Sequence, residues 1–133
     1  MMPFRKPLLR ILKTTLAKSM YLIPPQTSEV VQGPGSIKKL PALIKSKGFQ
    51  KPLVVTDAVL MKLNLLKSLF AEFDAIAMAY TVYDGVQPDP TIDNVEEAFA
   101  MYKMNGCDCI IGFGGGSAMD TAKSVAARVA KPN

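Results

Sequence analysis

Histidine is absent from the 133 residues of the chain, and this absence excludes several kinds of site. A Ser-His-Asp triad and a Cys-His pair both require an imidazole, so neither can be built from this chain alone. The same holds for any metal site that uses histidine as a ligand. The chain alone therefore cannot form any of these three kinds of site.

Long apolar runs and spaced cysteine pairs are also lacking. No run of about 18 apolar residues occurs, so the sequence predicts no transmembrane segment. Cys107 and Cys109 are separated by one residue, a spacing that places them on one face of a strand and does not favour a disulfide between them. We interpret them as buried free thiols of a cytoplasmic protein, since a reducing compartment keeps thiols free.

Acidic residues are missing from residues 1–28, which hold five of the 16 basic residues: Arg5, Lys6, Arg10, Lys13 and Lys18. The remaining 11 basic residues are balanced by the 11 acidic residues of the chain, so residues 29–133 are neutral and the net charge of +5 lies in the first segment. A nucleic-acid-binding domain would have a basic patch on its body. The distribution of charge therefore predicts no nucleic-acid partner.

Residues 1–28 form a basic, amphipathic leader segment. Apolar residues recur in it at roughly helical spacing until Pro24-Pro25 ends the pattern: Leu8, Leu9, Ile11, Leu12, Leu16, Met20 and Leu22. Three interpretations remain open. The segment is a helix that packs on the protein or a partner, a helix that contacts an anionic membrane surface, or a targeting peptide.

Strand and helix signals alternate from residue 29 onward. Strands are predicted over residues 29–32, 52–56, 78–83 and 109–113, and helices follow over about 37–47, 58–73, 91–105 and 118–130. Ser36 is expected to cap the first helix, Gly48 to end it, and Asn64 to interrupt the second. This order predicts an α/β fold with a mostly parallel sheet and flanking helices.

A glycine-rich segment, Gly114-Gly115-Gly116-Ser117, follows a predicted strand and opens a helix. Glycine lets the main chain approach a ligand closely, and the first amides of a helix point outward without internal partners. Together with the helix dipole and the Ser117 hydroxyl they predict a phosphate site. The segment matches neither the P-loop pattern nor GxGxxG, so a tight turn without a ligand is the alternative interpretation.

Three aspartates are further candidates. Asp57 stands at the carboxyl end of a buried strand, where an acid accepts hydrogen bonds from ribose hydroxyls or, alternatively, caps the next helix. Asp89 lies between two prolines and is placed to cap the helix that follows. Asp120 lies one turn into the last helix, near the end where the helix dipole favours an acid.

The segment Gly114–Lys123 resembles the GGGSxxDxxK signature of iron-containing (group III) alcohol dehydrogenases. The similarity extends in consistent order through four shorter motifs: Gly33-Pro34-Gly35-Ser36, Val55-Thr56-Asp57, Tyr83-Asp84-Gly85-Val86 and Pro88-Asp89-Pro90-Thr91. It spans about residues 29–133 and leaves residues 1–28 uncovered. The resemblance implies that residues 29–133 form a Rossmann-like dinucleotide-binding domain.

The resemblance also implies the contacts of the cofactor. The pyrophosphate of a nicotinamide dinucleotide would lie over Gly115, Gly116 and Ser117. Asp57 matches the residue that faces the adenosine ribose, where a carboxylate favours NAD over NADP because a 2′-phosphate would meet like charge. Asp120 matches an aspartate on the nicotinamide side, and Asp89 matches a position near the cofactor that is often asparagine.

In this family the cofactor oxidises or reduces a small alcohol or aldehyde beside iron or another divalent metal. In the family an aspartate and three histidines of a C-terminal, all-helical domain hold that metal. We expect that domain to be absent here, and with it any catalytic residue and any metal site of this chain. We therefore expect the chain alone to bind NAD without turnover and to self-associate through apolar surface. Two other hypotheses remain: a stand-alone nucleotide-binding or regulatory module, and a protein similar to glycerol dehydrogenase or dehydroquinate synthase.

Overall fold

The computed structural model describes residues 32–131. A 3-10 helix (Ser36–Lys39) leads into eight regular elements, in the order α1 (Leu40–Ser46), β1 (Pro52–Val55), α2 (Ala58–Lys62), α3 (Lys67–Ala75), β2 (Thr81–Tyr83), α4 (Ile92–Met104), β3 (Cys109–Gly112) and α5 (Gly116–Ala130). The leader segment and the strand predicted at residues 29–32 lie outside the described residues, except for Gln32, which has no regular structure.

The three strands form one parallel sheet in the order β2-β1-β3. Leu53 of the central strand pairs with Thr81 on one side and with Ile110 on the other. All four residues of β1 are buried, as expected for a β-branched run that is covered on both faces. These features confirm the predicted α/β class.

Strand β3 is an apolar run, for which burial on both faces would be expected. Its four residues are half-buried, because in the described part of the chain β3 pairs with β1 alone and its other edge has no neighbouring strand. An apolar run identifies such a strand in a sequence, but it does not show how many neighbours the strand has.

Helices cover both faces of the sheet and create two apolar clusters. Leu53 and Val55 of β1 belong to the cluster that also contains Phe99 of α4. Val54, which points to the opposite face, belongs to the cluster that also contains Phe73 of α3. The alternation along β1 therefore places α4 and α5 on one face of the sheet, and α1 to α3 on the other.

The connections after β1 and β3 turn to opposite faces of the sheet. The chain leaves β1 toward α2 and α3, whereas it leaves β3 toward α5, which packs on the other face. In open α/β sheets, ligands bind in the crevice where neighbouring connections diverge at the carboxyl ends of the strands. The switch point of this fold therefore lies between the loop at Asp57 and the loop at Gly114, and this stretch of the carboxyl edge is here called the crevice.

Two residues with positive φ interrupt or end helices as predicted. Asn64 has a φ of 56° and separates α2 from α3. Gly48 has a φ of 85° and ends α1, and the backbone N–H groups of Gly48 and Phe49 donate to Lys45 and Ile44 at 3.0 and 3.2 Å. These two bonds are those of a Schellman motif, which requires a left-handed residue after the helix.

The prediction that Ser36 caps the first helix is wrong. Ser36 is the first residue of the 3-10 helix, and the residue before it, Gly35, occupies the cap position with a φ of 73° and no side-chain bond. The N–H of Ser36 donates to the carbonyl of Gly33 at 3.1 Å, so the Gly33–Gly35 turn places Ser36 inside the helix.

Cys107 and Cys109 are both free thiols. They do not share a face as predicted, because β3 begins only at Cys109: Cys107 packs in the cluster of α4, and Cys109 contacts the opposite cluster. Burial, followed by the neighbouring Asp108 carboxylate, raises the pKa of the Cys109 thiol to about 12. Cys109 therefore stays protonated and unreactive at neutral pH.

Each helix between residues 32 and 131 is too short or too polar to span a bilayer.

Candidate functional site

The loops after β1 and β2 are joined at the carboxyl edge of the sheet. Asp57 and Gly85 form an isolated antiparallel bridge, and the N–H of Val86 donates to the carbonyl of Thr56 at 3.3 Å. The loop of residues 84–90 therefore starts against the end of β1. On the other side of β1, strand β3 leads into the turn at Gly114.

The same loop continues to the start of α5. The hydroxyl of Ser117 donates to the carbonyl of Pro88 at 2.7 Å. Ser117 was predicted as a hydroxyl donor to a phosphate, and the structure directs that donor to the loop instead. A phosphate at this helix end would therefore depend on main-chain N–H groups, with the Ser117 oxygen beside them.

Gly114 is required by the turn itself. Its φ of 141° is a conformation that side chains rarely adopt, and a Cβ there would lie 3.0 Å from both Ala118 Cβ and Leu60 Cδ1. The same Cβ position is 3.7 Å from Oδ2 of Asp57. The turn after β3 therefore packs directly against the first helix after β1, which brings Gly114 and Asp57 together as the sequence predicts for strand ends.

Gly115 and Gly116 have no such structural requirement. A Cβ on either residue would meet no atom within 4 Å, and Gly115 has an ordinary φ of −80°. Within the described residues, the N–H groups of Gly116, Ser117 and Ala118 make no hydrogen bond, because α5 begins there. A tight turn explains Gly114, whereas an open cradle of free amides explains the next two glycines better.

Asp57 takes one of the two roles that the sequence left as alternatives, that of a helix cap. Its Oδ1 accepts a hydrogen bond from the N–H of Leu60 at 2.9 Å and so caps α2. Its Oδ2 faces the turn at Gly114. One carboxylate oxygen therefore stabilises the helix while the other remains at the crevice, where it is placed to accept a hydrogen bond from a ligand hydroxyl.

Asp89 and Asp120 are both exposed. Asp89 does not cap α4 as predicted, because Thr91 is the N-cap and its hydroxyl accepts from the N–H of Asn94 at 3.3 Å. Asp89 directly follows Pro88, which Ser117 binds, so it lies near the start of α5. Asp120 lies four residues beyond Gly116, one turn along the same helix.

Sequence reasoning missed a buried polar group beneath the loop of residues 84–90. The amide of Asn94 donates to the hydroxyl of Tyr83 and to the carbonyl of Gly85, both at 3.3 Å, and Tyr83 in turn donates to Glu97 Oε2 at 2.9 Å. Burial is the main cause that raises the pKa of Tyr83, so the phenol stays protonated and donating. The Thr91-x-x-Asn94 spacing was the available signal, since it is typical of a capping box.

Metal ligands are a separate question. Between residues 32 and 131, no three side chains of histidine, cysteine, aspartate or glutamate are grouped so that they could hold a metal ion.

The parallel sheet, the helices on both faces and the glycine turn at the carboxyl edge define an α/β domain of the Rossmann-like class. Iron-containing alcohol dehydrogenase is the family description that matches, over residues 27–133. The chain belongs to the iron-containing alcohol dehydrogenase family. This match confirms the resemblance of the motifs and favours this branch over a protein similar to glycerol dehydrogenase or dehydroquinate synthase.

Several members of the family are similar to the chain. Lactaldehyde reductase of Escherichia coli K12 is 38% identical over 93 residues, which are 70% of this chain and 24% of that protein. NAD-dependent methanol dehydrogenase of Bacillus methanolicus is 32% identical over 105 residues, or 79% and 27% of the two chains. The structure of NADH-dependent butanol dehydrogenase A of Thermotoga maritima superposes with a TM-score of 0.74 at 28% identity, covering 80% of this chain and 27% of that one. The chain thus spans about a quarter of the length of these relatives.

Proposed function

We propose that this chain is the cofactor-binding part of an NAD(P)-dependent oxidoreductase that acts on small alcohols or aldehydes. The single observation that supports cofactor binding is the open cradle at Gly115 and Gly116, where neither packing nor backbone conformation requires glycine. The relatives support the reaction class, since their names describe alcohol dehydrogenases and aldehyde reductases.

In this proposal, the main chain at Gly115, Gly116 and Ser117 holds the pyrophosphate, and the free amides at the start of α5 donate to it. Asp57 accepts from the adenosine ribose, while Asp89 and Asp120 lie along the rest of the cofactor. The nicotinamide supplies the hydride acceptor or donor when the dinucleotide is bound. The residues of this chain bind and orient it.

We propose that no turnover occurs on this chain alone. The sequence contains no histidine, and its described part groups no set of metal-ligating side chains. Iron or another divalent metal, which would polarise the alcohol oxygen, is a requirement of the complete enzyme. The proposed catalytic contribution of this chain is therefore the position of the cofactor and not the activation of the substrate.

We propose NAD as the preferred cofactor, and an Asp57→Asn variant tests this preference. Asparagine is also a good N-cap, so the variant keeps α2 in place and removes only the charge at the crevice. Calorimetric titration of the unmodified chain should give tighter binding of NAD than of NADP. In the variant the ratio of the two affinities should fall by about fivefold, which corresponds to about 1 kcal/mol.

Asp74→Asn is the matched control for this titration, since Asp74 is an exposed aspartate of α3. It should leave the ratio unchanged. NADP binding at least as tight as NAD in the unmodified chain would overturn the proposed preference. If neither nucleotide binds, the proposal of a working cofactor site in this chain is wrong.

We also propose that the chain self-associates, because large apolar side chains are exposed among the described residues. Exposed fractions reach 65% at Val59, 81% at Ile92 and 85% at Met104, and β3 has an unpaired edge in the same part of the chain. Sedimentation at rising protein concentration should show a growing population of dimers or larger species. A strictly monomeric profile at high concentration would contradict this expectation.

The domain boundary and the compartment are proposals as well. We propose that the dinucleotide-binding domain occupies residues 29–133, because the family match begins at residue 27 and the leader segment differs from the rest in charge.

We propose a cytoplasmic protein, because Cys107 and Cys109 are free thiols and reducing compartments keep thiols in that state.

A further inference from the structure

Asn94 uses every polar atom of its side chain, although it is only 6% exposed. Its Oδ1 accepts from the N–H of Thr91 at 3.1 Å, and its Nδ2 donates to Tyr83 and Gly85 at 3.3 Å each. The asparagine thus connects the start of α4 with the end of β2 and with the loop of residues 84–90.

The two ends of this side chain have different roles. A capping box at the start of α4 requires only an acceptor at residue 94, and carboxylates perform that role in many helices. The bonds to Tyr83 and Gly85 require an N–H donor, which the helix itself does not need. An amide at position 94 is therefore explained by the loop and not by the helix.

Gly85 is the point at which the loop is fixed. It forms the bridge with Asp57, and a Cβ there would lie 2.8 Å from the hydroxyl oxygen of Tyr83, so the loop backbone rests directly on this phenol. Three residues further on, the carbonyl of Pro88 accepts from Ser117. A loop displaced at Gly85 would move away from both Asp57 and Ser117.

We propose that Asn94 is a positioning residue of the dinucleotide crevice. Its amide N–H groups hold the loop of residues 84–90 against the end of β1 and the start of α5, and so preserve the distance between the proposed ribose and phosphate contacts. The inference rests on the proposed function, since a loop in place affects nucleotide affinity only if the crevice binds a nucleotide.

Two variants of the 133-residue chain test the acceptor and the donor of the Asn94 side chain separately. Asn94→Asp keeps the acceptor for Thr91 and removes the donor to Gly85. Thr91→Ala removes the hydroxyl cap of α4 and its 3.2 Å bond to Asn94 Oδ1, but it leaves the Thr91 N–H and the Asn94 donor in place. NAD affinity is measured by calorimetry well below the unfolding midpoint of each variant. Hydrogen exchange is measured at the Val86 amide, which donates to Thr56 in the structure.

We expect Asn94→Asp to weaken NAD binding at least threefold and to accelerate exchange at Val86 by a similar factor or more. Thr91→Ala should lower the unfolding midpoint and change neither of these quantities. If Asn94→Asp fails to fold because its carboxylate lies near Glu97, the uncharged Asn94→Ser variant replaces it, with the same expected results. Because serine removes both ends of the side chain, Thr91→Ala then serves as the measure of the lost cap alone. If Asn94 had a purely structural role, the position-94 and position-91 variants would change NAD affinity and Val86 exchange by similar factors. That result would overturn the inference.

The outcomes also distinguish this inference from the proposed function. If the unmodified chain binds no NAD, the proposed function of this chain fails and the inference is decided by Val86 exchange alone. Faster exchange in the position-94 variant than in Thr91→Ala would support it. NAD affinity and Val86 exchange equal to those of the unmodified chain would show that Asn94 does not position the loop.

Discussion

Replacement of Gly114 with alanine should lower the free energy of unfolding by about 3 kcal/mol. A φ of 141° is strained for any side chain, at about 1–3 kcal/mol. The added Cβ would also lie 3.0 Å from Ala118 Cβ and Leu60 Cδ1, and overpacking of this kind adds about 1–3 kcal/mol. Denaturant unfolding measures the change.

Gly48→Ala is the matched control for strain without a clash. Gly48 also has a positive φ, 85°, but a Cβ there would meet no atom within 4 Å. Gly48→Ala should therefore lower the free energy of unfolding by about 1 kcal/mol, in the range for alanine at a left-handed position. A loss at position 114 no greater than the loss at position 48 would show that the turn after β3 does not pack tightly against α2.

The elements that local chemistry determines could be predicted from the sequence. Gly48 ends α1 and Asn64 interrupts the helical stretch after β1, because left-handed residues act within a few positions of themselves. The cap of α4 was assigned to Asp89 and is Thr91, two residues further on. The second strand is shorter than its predicted span of residues 78–83. Met78 is buried in the core, but the ladder begins only at Thr81, where β1 provides a partner.

Features that depend on distant neighbours could not be predicted in this way. The half-exposed β3 and the opposite faces of Cys107 and Cys109 follow from where the ladder with β1 starts and from which strands are adjacent. The role of Asn94 likewise depends on Tyr83 and Gly85, which reach it only because β2 ends beneath α4.

Some features of the candidate site could likewise be predicted from the sequence, and others could not. The glycine segment could be predicted as an anion site because a strand, a turn and a helix follow one another in the chain. Its three glycines look equivalent in the sequence, whereas the structure assigns Gly114 to packing and leaves Gly115 and Gly116 open. The approach of Asp57 to this turn depends on two strands that are adjacent only in the folded sheet.

Gly116→Ala should reduce NAD affinity at least tenfold, or by about 1.4 kcal/mol, without loss of stability. The new methyl group would meet no protein atom within 4 Å, so it would hinder only a ligand that approaches the backbone at the start of α5. Alanine also favours the helix, so the unfolding midpoint should stay constant or rise slightly. The free energy of unfolding should rise by no more than about 1 kcal/mol. Calorimetric titration with NAD and thermal unfolding of the same sample measure both quantities.

Ser124→Ala controls for a change in helix propensity, since Ser124 is an exposed residue of α5 two turns beyond the crevice. It should leave NAD affinity unchanged. Lower affinity with retained stability at position 116 alone would mean that the glycine serves a bound phosphate, since nothing in the fold itself requires it. NAD affinity equal to that of the unmodified chain would instead mean that the turn is structural at Gly116 as well, and that the phosphate lies elsewhere along the crevice.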